Sequence, residues 1–161
     1  MDHPNNAFGH RTVRIEVHPW SAEIDEAIAP LIRGLWTAGI ETTMSCQEDA
    51  WGKVWIAFPE IGNLVQFLNI VAEYQPGAET LYNRMNPQLT LAAPESEWEY
   101  GLIVDDGALI LSDAEVGSAD FRYDGPTDFF FTFSLRFPAS DLPRVLARVQ
   151  EHNRPTEPKV K

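Results

Sequence analysis

The stretch FFFTFSLRFP, residues 129–138, decides the fold. Its phenylalanines at positions 129, 131, 133 and 137, with Leu135 between them, recur at every second residue. That period predicts a β-strand with one apolar face. Burial of a large apolar side chain contributes about 1.5–3 kcal/mol, so we expect this row to be among the largest contributors to the core. Pro138 then ends the strand, because proline lacks the amide donor that a strand ladder needs.

The same order of features occurs earlier in the chain. WIAFP at residues 55–59 precedes an apolar stripe of helical spacing, as SLRFP at residues 134–138 does. Internal duplication would explain this echo, and so would the physics of strand-to-helix turns. Two helices following two strands predict an α+β fold: a two-layer sandwich of ferredoxin-like character, with a mixed or antiparallel sheet and helices on one face. The stripes are Ile61, Leu64, Phe67, Leu68 and Val71, and Leu142, Val145, Leu146 and Val149, the second helix being capped by Ser140 and Asp141.

Further elements complete the predicted domain. Residues 12–18 alternate as a strand, and residues 41–46 and 53–58 form a hairpin around 47–52. Ser21 is expected to cap a helix that Gly39 ends, and Pro30 either kinks that helix or begins it. The acidic first turn of this helix contains Glu23, Asp25 and Glu26, and its apolar stripe contains Ile24, Ile28, Leu31 and Leu35.

The length of 161 residues fits one domain. We predict a flexible N-terminal arm over residues 1–10, a single α+β domain over 11–152 and a flexible tail over 153–161. Residues 75–96 are expected to be irregular, and 109–111 to pair back onto a strand at 100–104 across a turn at 105–107.

Acidic residues are concentrated in one segment. Residues 95–128 contain ten acids and one base, and so carry −9 of the formal net charge of −12. This segment is either a solvated surface or a face that meets a basic partner, which can be a second copy of the chain. The net charge excludes nonspecific binding to nucleic acid or anionic membrane.

The chain has one cysteine, Cys46, which cannot form an intrachain disulfide. Residues 1–20 show no charged-then-apolar leader, and the chain has no apolar run of about 18 residues. We therefore expect a cytoplasmic protein that does not associate with membranes.

Few residue patterns point to chemistry. Histidines at 3, 10, 18 and 152 form no helical i, i+4 pair, and one cysteine cannot build a structural zinc site, so we expect no metal and no cofactor. Cys46 is the candidate nucleophile, with His10 or His18 as its base. The neighbouring acids Glu48 and Asp49 disfavour a thiolate. A small apolar filler of the core is the alternative role for this thiol.

Two surfaces are candidates for binding. Arg14, Glu16 and His18 share the polar face of the first strand and could grip a carboxylate or phosphate, although a solvent-facing strand also carries such a mixture. Trp51 and Trp55 would form an aromatic patch if they are exposed beside Cys46. The full set of ligand or partner candidates is Arg14, Glu16, His18, Cys46, Gln47, Glu48, Trp51 and Trp55.

Residues 35–46, LWTAGIETTMSC, carry a pattern L-W-x-x-G-I-x-T-x-x-S-C. In this pattern the chain resembles a group of uncharacterised small bacterial and phage proteins, and the resemblance continues at residues 55–56, 67–71 and 136–138. It implies a family without an established activity. Residues 42–46 also resemble the T-x-S-S-C-S-G-R stretch of the tRNA wybutosine methyltransferase family, but QED at 47–49 replaces the Gly-Arg part, which argues against tRNA binding.

The sequence therefore favours a noncatalytic binding or interaction module with an acidic surface, encoded by a phage or mobile element. Its expected partner is a protein or a small molecule, with homo-oligomerisation included. One alternative is an acidic, DNA-mimicking inhibitor. The other is a small enzyme acting on a soluble metabolite at a pocket near Cys46.

Overall fold

Residues 9–72, 81–85, 98–106 and 129–155 are described by a computed structural model, and within them the chain forms six strands and four helices. The predicted α+β class is confirmed. The strands are β1 (Thr12–Val17), β2 (Trp20–Asp25), β3 (Met44–Cys46), β4 (Lys53–Phe58), β5 (Glu99–Asp106) and β6 (Phe129–Pro138). The helices are α1 (Ala29–Thr37), α2 (Ile61–Ala72), α3 (Tyr82–Met85) and α4 (Leu142–His152).

The strands form two separate antiparallel sheets. β1 and β2 make a hairpin, and the other four strands lie in the order β3-β4-β6-β5. β4 and β6 are neighbours, with Lys53 opposite Pro138 and Phe58 opposite Phe133. The two Phe-Pro segments therefore lie side by side in one sheet, and of the two sheet types expected the antiparallel one is present. The ferredoxin-like character stays a prediction.

One face of the four-stranded sheet packs against helices and forms the core. Leu135 and Phe137 of β6 are completely buried there, but Phe131 is 50% exposed, so the prediction of a fully inward row was wrong at its outer end. β6 pairs with β4 only as far as Phe133, and beyond that residue it continues beside β5 alone. A two-stranded extension offers less apolar surface to bury a ring. Fully buried large side chains in the core include Ile28, Leu31, Ile32, Leu35, Ile40, Val54, Ile56, Phe58 and Phe67.

The predicted helix beginning at Ser21 was wrong, because residues 20–25 are strand β2. Pairing with β1 sets Ile24 opposite Val13, which buries it as a strand residue and not as part of a helical stripe. α1 begins at Ala29 and has Pro30 in its first turn, where the missing amide donor is not needed. Gly39 follows the helix with φ +77°, a conformation that glycine adopts without a Cβ penalty.

Asp141 occupies the N-cap position of the last helix, but the predicted capping by the side chains of Ser140 and Asp141 was wrong. A single 3₁₀ turn over residues 139–141 leads into α4, and no side chain caps that helix. The Asp141 carboxylate instead accepts hydrogen bonds from Trp98 Nε1 at 2.9 Å and Arg84 Nε at 3.0 Å. Its buried charge thus joins α3, the start of β5 and α4.

Parts of the predicted arm and tail pack against the domain. His10 contacts Asp25, and Asn153 Nδ2 donates a hydrogen bond to the Gly34 carbonyl at 2.8 Å. Residues 1–8, 107–128 and 156–161, and with them the predicted pairing of 109–111, lie outside the described residues, as does most of the irregular segment 75–96. Among the helices that are described, none has the length and apolarity needed to cross a bilayer.

Candidate functional site

The open end of the β1–β2 hairpin meets the end of β3. His10 lies two residues before β1, Asp25 is the last residue of β2, and Cys46 is the last residue of β3. Thr12 pairs with Asp25, so the chain that enters β1 passes directly beside this carboxylate. Three side chains from three segments are thereby brought together.

The three polar atoms of this cluster converge on one point. His10 Nδ1 lies 3.0 Å from Asp25 Oδ2, and Cys46 Sγ lies 3.8 Å from the same nitrogen. The imidazole nitrogen, the carboxylate oxygen and the sulfur all lie within 4.8 Å of one another. Asp25 is only 4% exposed, whereas the other two side chains are half-buried. Solvent therefore reaches the cluster from the His10 and Cys46 side.

Hydrogen bonds from the backbone fix the cluster. Asp25 Oδ2 also accepts from the Gln47 backbone N–H at 3.0 Å, and Gln47 Oε1 accepts from the Ala27 backbone N–H at 2.9 Å. The Cys46 thiol donates to the Glu48 carbonyl at 3.3 Å. Gln47, predicted as a ligand residue, thus holds the turn after β3 against the end of β2, and Glu48, also predicted as one, contacts Cys46 through its backbone carbonyl.

Electrostatics keep the thiol protonated. Burial raises the pKa of Cys46 above its ordinary value, and the negative charges of Asp25 and Asp49 raise that pKa further, although hydrogen bonding with the backbone of Glu48 opposes the shift. A nucleophilic cysteine needs a cation or a helix N-terminus to lower the thiol pKa. The negative charges of this site instead raise the thiol pKa.

Geometry also separates this cluster from a relay of the Cys-His-Asp type. In such a relay the imidazole turns one nitrogen to the nucleophile and the other to the carboxylate. Here the sulfur and the carboxylate oxygen both face Nδ1 of His10. An Nδ1–H that donates to Asp25 cannot accept the thiol proton, so the arrangement resembles a set of converging metal ligands more closely than a proton relay.

The other predicted polar candidates lie elsewhere. His18 is exposed in the turn between β1 and β2, at the opposite end of the hairpin from Cys46. Arg14 and Glu16 are exposed on β1 and pair with each other at 3.0 Å. The structure therefore brings His10, and not His18, to Cys46, and leaves the polar face of β1 in solvent.

Cys46 does not lie in the main core, as the packing alternative for this thiol expected. It shares the face of the four-stranded sheet away from the helices with Met44, which is itself exposed. On that face, register sets Cys46 opposite Trp55, Trp55 opposite Arg136 and Arg136 opposite Glu99. Directly opposed residues of antiparallel strands point to the same side, so these four side chains form one row across all four strands.

Most tryptophans are structural, and two belong to the row or its surroundings. Trp36 and Trp98 are buried, and Trp20 packs against Trp36. Trp51 is 76% exposed in the β3–β4 turn, whereas Trp55 is partly covered by the Arg136 guanidinium, 5.8 Å from its ring centroid. The two predicted patch residues therefore differ: one is a surface side chain, and the other lies beneath a cation.

Asp49 organises the turn that follows Cys46. Its Oδ1 accepts hydrogen bonds from the backbone N–H groups of Trp51 at 2.9 Å and Lys53 at 3.0 Å, and its Oδ2 accepts from Arg136 Nε at 3.2 Å. One carboxylate thus fixes the turn and positions the arginine of the row.

Asp25 was missed as a site residue by the sequence analysis, because a helical stripe was assigned across it. The cluster also joins positions 15 and 36 residues apart, so no local spacing reveals it. The available signal was the alternation over residues 20–25, which ends in a polar residue beside the apolar Ile24.

A comparison with curated proteins finds a distant relative. Uncharacterized protein R428 of Acanthamoeba polyphaga mimivirus is 28% identical over 159 residues, an alignment that covers 94% of this chain and 76% of the relative. No protein-family model and no solved structure matches the chain. Similarity to bacterial and phage proteins therefore stays a prediction, and the site must be interpreted from its own geometry.

Proposed function

We propose that this protein binds one divalent metal ion of the zinc class through His10, Asp25 and Cys46. The observation that carries the proposal is the convergence of a nitrogen, an oxygen and a sulfur within 4.8 Å of one another. Imidazole, carboxylate and thiolate are the ligand types that Zn²⁺ takes in proteins.

The distances support this assignment. Ligand atoms around a tetrahedral Zn²⁺ lie about 3.3–3.7 Å from one another, given metal–ligand bonds of about 2.0–2.3 Å. Nδ1 to Oδ2 is 3.0 Å and Sγ to Nδ1 is 3.8 Å, each within a few tenths of an ångström of that range, and Sγ lies within 4.8 Å of Oδ2. Metal binding through Nδ1 of His10 requires its proton to reside on Nε2, the other neutral tautomer.

Charge supports it as well. The negative charges of Asp25 and Asp49 act on a thiol that carries no charge of its own when protonated. A divalent cation reverses the balance, since it favours the thiolate and is attracted by both carboxylates. The hydrogen bond from Gln47 N–H to Asp25 is then an outer-shell contact that orients a ligand carboxylate.

The test is metal binding to protein that has first been stripped with a chelator. We expect one Zn²⁺ or Co²⁺ per chain, and a thiolate-to-cobalt charge-transfer band in the near ultraviolet. His10→Ala, Asp25→Asn and Cys46→Ser should each weaken metal binding by more than about tenfold. Loss of an outer-shell partner already weakens metal binding by about tenfold or more, and these three changes remove a direct ligand.

Two exposed residues of the same hairpin provide matched controls. His18→Ala and Glu23→Gln likewise remove an imidazole and a carboxylate, but outside the cluster, and these variants should bind metal like the unmodified protein. Absence of stoichiometric binding, or equal weakening by His18→Ala and His10→Ala, would refute the proposal.

A further inference from the structure

We infer that α2 is the surface through which two copies of this chain associate. One side of the helix is buried in the core through Leu64, Phe67 and Val71. A second apolar stripe, here named the outer stripe, runs along a different side of the same helix and consists of Ile61, Val65, Leu68 and Ala72. Its steps of four, three and four residues are those of a seam that packs against another helix.

The first half of the outer stripe is open to solvent. Ile61 is 51% exposed and Val65 is 47% exposed, whereas the other two residues of the stripe are partly buried beside the core. A hollow of about 410 Å³ adjoins Val65, and its lining includes Gly62, Asn69 and His152. Helices pack by inserting side chains of one into the grooves of the other, so this hollow can receive side chains from a helix laid along the stripe.

Charge identifies the occupant as a second copy. Each chain carries a formal net charge of −12, so two copies repel wherever their acids face one another. No residue of α2 is charged, and its remaining exposed side chains are the amides Gln66 and Asn69. The exposed apolar residues of β5, by contrast, share that strand with Glu99, Asp105 and Asp106. A basic partner would be attracted to the acids of the chain and not to this neutral helix.

The outer stripe is also self-complementary. In a dimer with a two-fold axis, residue i of one copy contacts residue j of the other, and j contacts i. Two antiparallel α2 helices place Ile61 opposite Ala72 and Val65 opposite Leu68, and the axis repeats both pairs. Every contact along the seam is then apolar, and a large side chain meets a small one at each end.

The size of this surface makes the dimer weak. A helix of 12 residues is about 18 Å long and about 10 Å across, so α2 by itself covers roughly 200 Å² of each copy. A stable interface covers about 800 Å² on each partner. We therefore expect reversible association with a dissociation constant between roughly 10 μM and 1 mM.

The experiment is sedimentation velocity over that concentration range, with a reductant that prevents disulfides through Cys46. We expect a monomer–dimer equilibrium that sodium chloride strengthens, because salt screens the repulsion between acids and leaves apolar contacts intact. Val65→Glu should weaken dimerisation at least about tenfold, because each copy then brings a negative charge into an apolar contact. Ala147→Glu adds the same charge at an exposed position of α4 and should dimerise like the unmodified protein.

Mixing two variants tests the pairing of the helices. The antiparallel arrangement brings position 65 of both copies within one turn of each other, since each lies opposite position 68 of the other. An equimolar mixture of Val65→Glu and Val65→Lys should therefore associate more tightly than Val65→Glu alone. Equal association of the mixture and of Val65→Glu would contradict this seam.

Three further results would overturn the inference: a chain that stays monomeric at about 1 mM, a dimer that salt weakens, or equal dimerisation of Val65→Glu and Ala147→Glu. A dimer that salt weakens would indicate contact between acids and bases instead. The concentration and salt dependence of the unmodified protein test the inference even if Val65→Glu fails to fold. None of these measurements depends on the proposed metal site.

Discussion

The buried carboxylate of Asp25 accepts a hydrogen bond from the backbone N–H of Gln47 at 3.0 Å. The first residue belongs to the β1–β2 hairpin, and the second follows the edge strand of the four-stranded sheet. The two sheets share no strand pairing within the described residues, so this bond is one of the ties that hold them together. The candidate site is located at that junction.

Removal of the Asp25 carboxylate should destabilise the metal-free protein. Asp25→Ala leaves the Gln47 N–H without its acceptor, which costs about 1–3 kcal/mol of unfolding free energy. Asp25→Asn retains an acceptor oxygen and should lose less. Urea denaturation in the presence of a chelator measures both changes, with Glu23→Ala on the exposed part of the same strand as the control. Equal stabilities for Asp25→Ala and Glu23→Ala would contradict this role.

Sequence periodicity predicted the strands and helices that bury one apolar face. β1, β4, β6, α2 and α4 follow from period-two alternation or from a helical stripe. β2 was missed because Ile24, Ile28, Leu31 and Leu35 have helical spacing by coincidence, while the pairing of Ile24 with Val13 is a nonlocal contact. A local sequence pattern contains no information about a hairpin partner, and here the contacts with that partner outweigh the helical propensity of the segment.

The candidate site was predictable only in part for the same reason. Cys46 was singled out from its place at the end of a strand, and His10 was considered as its base. Asp25 was placed in the first turn of a helix, where it would face solvent. Only the pairing of Thr12 with Asp25 brings the carboxylate to the point where the entering chain and the β3 end converge.

The phenylalanine-rich strand should show a steep gradient in energetic importance. Leu135 is completely buried between β4 and β5, and Leu135→Ala should cost about 2–5 kcal/mol. Phe131 is half-exposed on the two-stranded extension, so Phe131→Ala should cost less than about 1.5 kcal/mol, the lower end for a fully buried side chain. Chemical denaturation of both variants measures the difference. A larger loss for Phe131→Ala would mean that another element covers this ring.

Asp141 should be a structural charge that tolerates no apolar replacement. It is 3% exposed, and its Oδ2 accepts from Trp98 Nε1 and Arg84 Nε. Asp141→Ala removes the acceptor of both hydrogen bonds and should lower the unfolding free energy by about 1–3 kcal/mol, the cost of losing the partner of a buried polar group. Asp141→Asn keeps an acceptor for the indole and should retain part of the stability. Near-ultraviolet circular dichroism of Trp98, which stacks on Phe137 at 4.9 Å, reports loss of the local structure.

Alkaline pH should destabilise the protein through Tyr100. Its hydroxyl donates to the Met85 carbonyl at 3.0 Å, and burial raises the pKa of this phenol above its ordinary value. The unfolded chain then loses the phenol proton at lower pH than the folded chain, so stability falls as pH rises past about 10, the unfolded pKa. At neutral pH the unfolding free energy of the unmodified protein should be about 1 kcal/mol larger than that of Tyr100→Phe, because the variant lacks one hydrogen bond.

The comparison of these two proteins across pH isolates the effect of Tyr100. Their difference in unfolding free energy should shrink between roughly pH 9 and pH 11, since the variant has no phenol to titrate. Tyr82→Phe provides the control, because it removes a phenol on α3 that is about as exposed as Tyr100 but makes no hydrogen bond among the described residues. A difference that stays constant over this range would show that the Tyr100 hydroxyl titrates as it does in the unfolded chain.

We expect the α1–α4 contact to require glycine at position 34, because Val149 leaves no room there for a side chain. A Cβ built on Gly34 would lie 2.7 Å from Cγ1 of Val149, closer than real Cβ atoms approach. Gly34→Ala gains about 1 kcal/mol of helix propensity, but overpacking costs about 1–3 kcal/mol, so we expect net destabilisation. Gly62→Ala in α2, where nothing lies within 4 Å of the added Cβ, should show the propensity gain alone.

A double-mutant cycle with Val149 tests the cause. Val149→Ala removes the clashing methyl group, so the Gly34→Ala/Val149→Ala protein should be more stable than the sum of the two single changes predicts, by about 0.5–3 kcal/mol. Additive effects would place the cost of Gly34→Ala elsewhere, for example at the hydrogen bond from Asn153 to the Gly34 carbonyl. Thermal unfolding of the four proteins in the cycle decides between these causes, because only the packing clash depends on the size of residue 149.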